Sequence, residues 1–285
     1  MNADLHCHSC HSDGVLTPTE LALRASANGI DLWALTDHDS LGGLDEARSL
    51  ARSLGMVFID GVEVSVTWLG TTVHIIGLGI DPSDIALDRG LKAVRSGRDQ
   101  RAIDMAVALE KLGVQNAYAN AMRHASNPAL VGRSHFARVL VEQGYATDVH
   151  AVFRNYLVPG RPGYVPHNWT SLEQAVRWIR GAGGLAVVAH PGRYRLSEAQ
   201  IEQLFLEFKK LGGAGIEVVS GSHGEAEVRT FARLARRFGF YASRASDFHA
   251  PGESPVDLGR SEMLPDGVVP IWHAPALAGG LACQS

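Results

Sequence analysis

Short apolar runs alternate with amphipathic stretches along most of the chain, the pattern of a β/α fold. A first strand is predicted to end near Asp4–Cys7. The helix after it has Thr17 as cap, Pro18 in its first turn, Glu20 completing a capping box, and Gly29 as its stop. Residues 30–39 read as strand then loop, 44–55 as a helix ending in glycine, and 56–66 and 71–80 as further strands. From about 85 to 157 the strand signals vanish and helical periodicity takes over, through AIDMAVALEKLG, AYANAMRHA and SHFARVLVEQG. The alternation resumes with a helix at 170–181 boxed by Thr170 and Glu173. Strand 185–191, helix 197–212, strand 215–220, helix 225–239 and strand 240–249 follow. The expected organisation is a barrel part over 1–84, a helical insertion over 85–160, a second barrel part over 161–275 and a flexible tail at 276–285.

The polar residues at the strand ends change the picture from fold to chemistry. In order they are His6 and His8, then Asp37-His38-Asp39, Glu63, His74, His190, Glu217, and finally Asp247 and His249. In parallel β/α barrels the loops at the carboxyl ends of the strands gather on one face and build the active site. One histidine after a strand is ordinarily a hydrogen-bonded structural residue; the repetition of the placement is what signals a site. Imidazole and carboxylate with little sulfur suit Mn²⁺, Zn²⁺ or Fe²⁺ in open hydrolytic sites. The stretch DLHCHSCHSDG (4–14) also offers a C-x-x-C pair, Cys7 and Cys10. Strand alternation puts His6 and His8 on one face and turns Cys7 to the other. A structural zinc site would need a second ligand pair, and the only other cysteine is Cys283.

Composition narrows the class further. With 285 residues, 46% hydrophobic and 20% charged, the chain can bury a substantial core. A net charge of −4 argues against a protein that coats long duplex nucleic acid with Lys and Arg. Three cysteines do not make a disulfide scaffold, so a reducing compartment is expected. No signal segment opens the chain and its apolar runs are too short to span a bilayer. The expectation is a soluble cytoplasmic enzyme without membrane contact.

HCHSCHSDG (6–14) resembles the first motif, H-x-H-x-x-x-S-D-G, of the PHP (polymerase and histidinol phosphatase) family. The likeness continues in order through TDHD (36–39), GVEVS (61–65), HIIG (74–77), AHP (189–191) and SDFH (246–249). The resemblance implies an α/β fold, a distorted seven-stranded β/α barrel, with a trinuclear metal centre. It implies that His6, His8, Glu63 and Asp247 hold one ion, with Glu63 bridging to a second held by His74 and His190. Asp13, His38 and His249 would hold the third. Many family members have histidine where this chain has Asp13, and a carboxylate there favours Mn²⁺ over Zn²⁺ or Fe²⁺. Asp37 and Asp39 are placed to orient ligands, and His11 is given a bland role.

Clustered divalent ions suit phosphoester hydrolysis: a metal-bridging hydroxide attacks while the ions neutralise phosphoryl charge, and the third can stabilise the leaving alkoxide. The chain has no G-x-S-x-G elbow, Walker loop or dinucleotide fingerprint to compete with that reading. GRSHFA (132–137) resembles GRPHFA of the TrpH-like branch of the family, which acts on nucleotides. The resemblance implies a phosphatase that removes the 3′-phosphate of nucleoside 3′,5′-bisphosphates such as pAp, giving AMP. Arg133, Ser134 and His135, with Arg161 nearby, would grip the distal 5′-phosphate. Alternatives are a 5′→3′ exoribonuclease on short 5′-phosphorylated RNA, a histidinol-phosphate phosphatase, and a non-enzymatic metal-binding module. The stretch 89–101 carries five Arg and Lys and reads as a solvated helix face, with Arg98 and Arg101 as the exceptions to watch.

Overall fold

The computed structural model describes residues 1–277. Seven strands form one sheet in sequence order: β1 (Ala3–Asp4), β2 (Leu32–Leu35), β3 (Val57–Trp68), β4 (Thr71–Leu78), β5 (Leu185–Val188), β6 (Gly215–Val219) and β7 (Tyr241–Arg244). The sheet curls into a nearly closed barrel. Its first and last strands meet through Leu5 N–H to Arg244 O at 3.1 Å, Asp247 N–H to His6 O at 2.9 Å and His8 N–H to Phe248 O at 2.8 Å. The distortion lies at β4, which runs antiparallel to both β3 and β5, while every other pair is parallel. A two-residue turn at Leu69-Gly70 joins β3 to β4, so no crossover helix separates these long strands.

Outside the barrel pack α1 (Pro18–Ala27), α2 (Leu44–Ser53), α8 (Leu172–Gly181), α9 (Glu198–Lys210) and α10 (Glu225–Phe238), which bury one apolar face each against the strands. Between β4 and β5 the chain runs helically through α3 (Ile85–Ser96), α4 (Arg98–Glu110), α5 (Ala117–His124), α6 (Arg133–Glu142) and α7 (Val149–Val152). A π-helical turn over Phe153–Leu157 extends α7. Residues of α4 to α7 enclose a second apolar core around Leu109, Phe136, Leu140 and Leu157, separate from the barrel's.

Three expectations need correction. The cap of α8 is Ser171, whose hydroxyl accepts Gln174 N–H at 3.2 Å; Thr170 is instead bridged to Val66 and its carbonyl accepts Thr67 N–H. The basic stretch 89–101 is two helices that break at Gly97, where a Cβ would come within 2.7 Å of the His167 ring. Third, the C-terminal stretch is packed as far as Leu277, which together with Ile271 and Trp272 fills the bottom of the barrel interior against Leu5, Ile76 and Val187. The rest of the predicted flexible tail, 278–285 with Cys283, lies outside the described residues. Among the described residues no helix is long and apolar enough to cross a membrane.

The cap assignment is open to measurement. Ser171→Ala should cost about 1 kcal/mol in urea unfolding, the usual worth of a capping hydroxyl, and Thr170→Ala clearly less. Equal losses from the two would contradict it.

Candidate metal centre

All nine expected ligands converge at the carboxyl-end mouth of the barrel. They fall into overlapping groups whose ligand atoms lie within 4.8 Å of one another: His6 with His8 and Asp247; His6 with Glu63 and His190; His38 with Glu63 and His74; His8 with Asp13, His38 and His249. Glu63 links the groups: His74 Nδ1 and His190 Nε2 both face its Oε1, at 2.9 and 3.1 Å, and His38 faces both Glu63 and the Asp13 group.

Local structure explains the convergence. His6 and His8 lie two residues apart on the extended chain after β1, so both rings face the barrel axis. Cys7 points outward into the helix-facing core, where Trp33 Nε1–H donates to its sulfur at 3.2 Å. Glu63 and His74 come from the antiparallel β3–β4 pair, and His38 from the loop after β2, in parallel bridge contact with Glu63. His190 and Asp247 follow β5 and β7, and with Asp39 they occupy the left-handed region at φ 24°, 54° and 51°. These are three of the five non-glycine residues so placed among the described residues. Conformations of that kind cost roughly 1–3 kcal/mol each and persist where a site demands them.

Outer hydrogen bonds set the tautomers. His6 Nδ1 pairs with Glu217 Oε1 at 2.8 Å, and the other Glu217 oxygen accepts His190 N–H at 2.6 Å. Ser12 Oγ donates to Asp37 Oδ1 at 2.5 Å and so is left to accept from His8 Nδ1 at 3.4 Å. His249 Nδ1 donates to Asp247 O at 2.9 Å. Each ring therefore turns an Nε2 lone pair inward, and those of His6 and His8 face each other at 3.0 Å. Two lone pairs at that distance repel unless a cation lies between or beside them. Asp13 Oδ1, His38 Nδ1, Glu63 Oε2, His74 Nδ1 and His190 Nδ1 are buried and make no hydrogen bond of good geometry, although His38 and His74 Nδ1 lie 2.8 and 2.9 Å from the Glu63 oxygens. Buried polar atoms in native proteins are almost always satisfied, so five orphans in one cluster fit a set of ions. The donor set, imidazole and carboxylate with oriented outer partners, is that of a divalent-metal site.

Electrostatics agree. Burial opposes ionisation of Glu63, yet the facing His38, His74 and His6 hold its carboxyl well below the usual range. Asp13 and Asp247 are depressed in the same way, against burial, by neighbouring histidines. Burial lowers His74 and His249 to about 4, so both are neutral and ligand-ready. His38 and His6 are the exceptions: burial pulls both down, but Glu63 and Asp13 lift His38 to about 9, and Glu63, Glu217 and Asp247 lift His6 well above its ordinary value.

Beside this cluster is a partly open cavity with about 80 Å³ of space for water-sized molecules. Of the expected substrate contacts, Arg133 and Ser134 line it, though Ser134 Oγ is spent on Asp13 Oδ2 at 2.7 Å. His135 and Arg161 do not line it. His135 is buried at the third position of α6, and its Nδ1 accepts Gly132 N–H at 3.1 Å, which caps the helix. Arg161 is exposed in the turn closed by its own N–H to Val158 O. Arg98 and Arg101 line it instead: both are buried in the cavity wall, stacked at 4.6 and 5.2 Å from the Trp169 ring, so this part of the basic stretch is not a solvated face. Arg193 also lines the cavity, its Nη1 2.5 Å from Asp247 Oδ2; the position after His190-Pro191-Gly192 was the one signal the sequence held for it. Arg98 is paired with Asp39, but Arg101 and Arg133 have no carboxylate partner among the described residues. Burial, then the nearby Arg133 and Arg98, pull Arg101 down to about 9.

Comparison with known proteins follows the same lines. The PHP domain family matches residues 4–220. The chain is 55% identical over 272 residues to a 3′,5′-nucleoside bisphosphate phosphatase of Chromobacterium violaceum, covering 95% of each. It is 39% identical to a 5′-3′ exoribonuclease of Haemophilus influenzae, over 95% of this chain and 97% of that one. A solved Chromobacterium violaceum amidohydrolase with bound sulfate superposes with a TM-score of 0.95 at 53% identity, covering 98% of this chain and 97% of its own.

Two outcomes test the centre. His8→Ala should lower divalent-metal content while Cys7→Ser leaves it unchanged, read by elemental analysis of purified protein; equal loss would restore the cysteine reading. In the metal-free protein His38 and His6 are both protonated at neutral pH because their pKa values are raised, and each must shed that proton to serve as a ligand. Metal affinity should therefore climb as pH rises towards about 9, with proton release visible when titration heats are compared between buffers. A pH-independent affinity between 6 and 9 would remove both His38 and His6 from the ligand set.

Proposed function

The chain belongs to the PHP domain family, and on that footing we propose that it removes the 3′-phosphate from nucleoside 3′,5′-bisphosphates, turning pAp into AMP and phosphate. The reading includes three divalent ions per chain, Mn²⁺ first and Zn²⁺ or Fe²⁺ after it, held by the nine convergent ligands in a soluble cytoplasmic enzyme. Residues 85–160 are read as an insertion that completes the site over a barrel made by 1–84 and 161–275. Ions held there would supply Lewis acidity and a water acidic enough to attack phosphorus at neutral pH.

The observation that carries the reading is the pair of unlike walls. One wall is the His, Asp and Glu cluster; the other holds Arg101 and Arg133, two guanidiniums without a carboxylate partner among the described residues. Keeping uncompensated positive charge under cover is costly unless an anion completes it. A substrate with two phosphates satisfies both walls at once, one reacting and one held. Arginine forks match phosphate oxygens in a bidentate way. Energy gained at the remote phosphate then positions the scissile one. In this division Arg133 keeps its expected role, Arg101 and Arg98 replace Arg161 and His135 as its companions, and Ser134 orients Asp13. Histidinol phosphate, with one phosphate, would leave the arginine wall idle.

The 39% identity to an exoribonuclease favours a second reading. In a 5′-phosphorylated RNA, the first internucleotide phosphate occupies the position that the 3′-phosphate holds in pAp. The same two walls would accept it, provided the leaving side of the cavity admits a further nucleotide.

The test is Mn²⁺-loaded protein with pAp, histidinol phosphate and a 5′-phosphorylated RNA dinucleotide side by side. Fast phosphate release from pAp is expected, and mononucleotide release from the RNA at comparable efficiency would promote the nuclease. Arg133→Ala and Arg101→Ala should raise KM for pAp at least tenfold, one lost charge-assisted contact, yet scarcely alter a simple monoester. Equal changes for both substrates would contradict the two-wall reading.

A further inference from the structure

Helix α6 does more than carry Arg133 to the cavity. Five residues on, Arg138 is buried, and its guanidinium spans two loops of the barrel mouth. Its Nη2 donates to the backbone carbonyl of Asp13 at 2.8 Å, while Nε and Nη2 fork onto Glu253 at 3.0 and 2.9 Å. Ser134, on the same helix, donates to Asp13 Oδ2 at 2.7 Å. Glu253 lies in the loop that follows His249, and the neighbouring Ser254 Oγ accepts His249 N–H at 2.7 Å. From α7, His150 Nε2 meets the Glu253 carbonyl at 3.1 Å. Both ends of the Asp13–His249 pair are thus fastened to the helices between β4 and β5. The ligands of the other groups sit on or beside strands and, among the described residues, make no hydrogen bond to α6.

We propose that Arg138 is a positioning residue that makes the cation site of Asp13, His38 and His249 conditional on the docking of α6. The inference rests on the reading of that group as a metal site. Metal ligands must meet their ion within about 0.2 Å, so a loop released by even a fraction of an ångström loses affinity. The Asp13 and His249 loops meet directly through two backbone bonds, His8 N–H to Phe248 O at 2.8 Å and Val15 N–H to His249 O at 3.0 Å, and Asp13 Oδ1 lies 3.4 Å from His249 Nε2; Arg138 adds a clamp from α6 that holds both loops at once. A planar fork can hold a carboxylate and a carbonyl together; a lysine offers a point charge and cannot reproduce that geometry.

The experiment counts ions and measures their affinities by Mn²⁺ titration with elemental analysis. It uses the full chain, the Arg138→Met, Arg138→Lys and Glu253→Gln variants, and thermal melting of every form. The wild type should hold three ions. Arg138→Met should hold two at wild-type affinity and lose the third, or bind it about 10–100-fold more weakly, as when an outer partner of a metal ligand is removed. Arg138→Lys should fall between the two. Glu253→Gln, which keeps the shape of the carboxylate, should weaken the same single ion and guards against a misfolded Arg138→Met. Three ions at wild-type affinity in both Arg138→Met and Glu253→Gln would overturn the inference alone. Uniform weakening of all three ions would also overturn it, as a general loss of packing. Fewer than three ions in the wild type would instead remove the reading of the Asp13 group, and the inference with it.

Discussion

Everything at the mouth of this barrel is arranged around one buried carboxylate. Glu63 is fully covered, and its two oxygens face five histidines: His6, His8 and His38 at 3.3, 3.4 and 2.8 Å from Oε2, His74 and His190 at 2.9 and 3.1 Å from Oε1. A carboxylate in that position would protonate or unfold its surroundings without positive charge nearby. The strands therefore have to deliver their imidazoles to it from several directions. The antiparallel β4 belongs to this constraint, since it lays His74 beside β3, which carries Glu63. The left-handed backbone at Asp39, His190 and Asp247 belongs to it too.

The outer partners carry the constraint into the rest of the molecule. Glu217 on β6 fixes a ring after β1 and a backbone after β5 with its two oxygens. Asp37 gathers Ser9 and Ser12, and Ser12 meets His8. Asp39 binds Ser65 through both its backbone and its hydroxyl, and Arg98 closes that network from α4. The helices between β4 and β5 are thus tied to the ligand cluster at Asp39 through Arg98, at the Asp13 loop through α6, and at the Glu253 loop through Arg138 and His150. Cavity wall and ligand cluster are built from shared contacts, so a change in one is felt in the other.

Much was legible in order along the chain because it depends on local rules. Period-two alternation separated His6 and His8 from Cys7, and Trp33 indeed meets Cys7 on the far side. Where a prediction slipped, a competing local partner was responsible. Thr170 was drawn into a bridge with Val66 and left the cap to Ser171. His135 is taken up by its own helix end, and Arg161 by a turn that faces solvent. Arg98 and Arg101 lie in a run that looks solvated, and only a break at Gly97 turns them inward onto Trp169.

By itself the sequence determined the β/α alternation, the helical stretch that interrupts it, and the identity of the polar residues that follow the strands. Those features rest on periodicity, capping and residue chemistry, which act over a few positions. Only the tertiary structure decided which ligands share a neighbourhood, that β4 reverses direction, that Glu217 serves two elements at once, and that Arg193 reaches Asp247 across 54 residues. These depend on barrel closure, in which strands far apart in sequence come within hydrogen-bond distance. No local pattern encodes which two distant side chains will meet there.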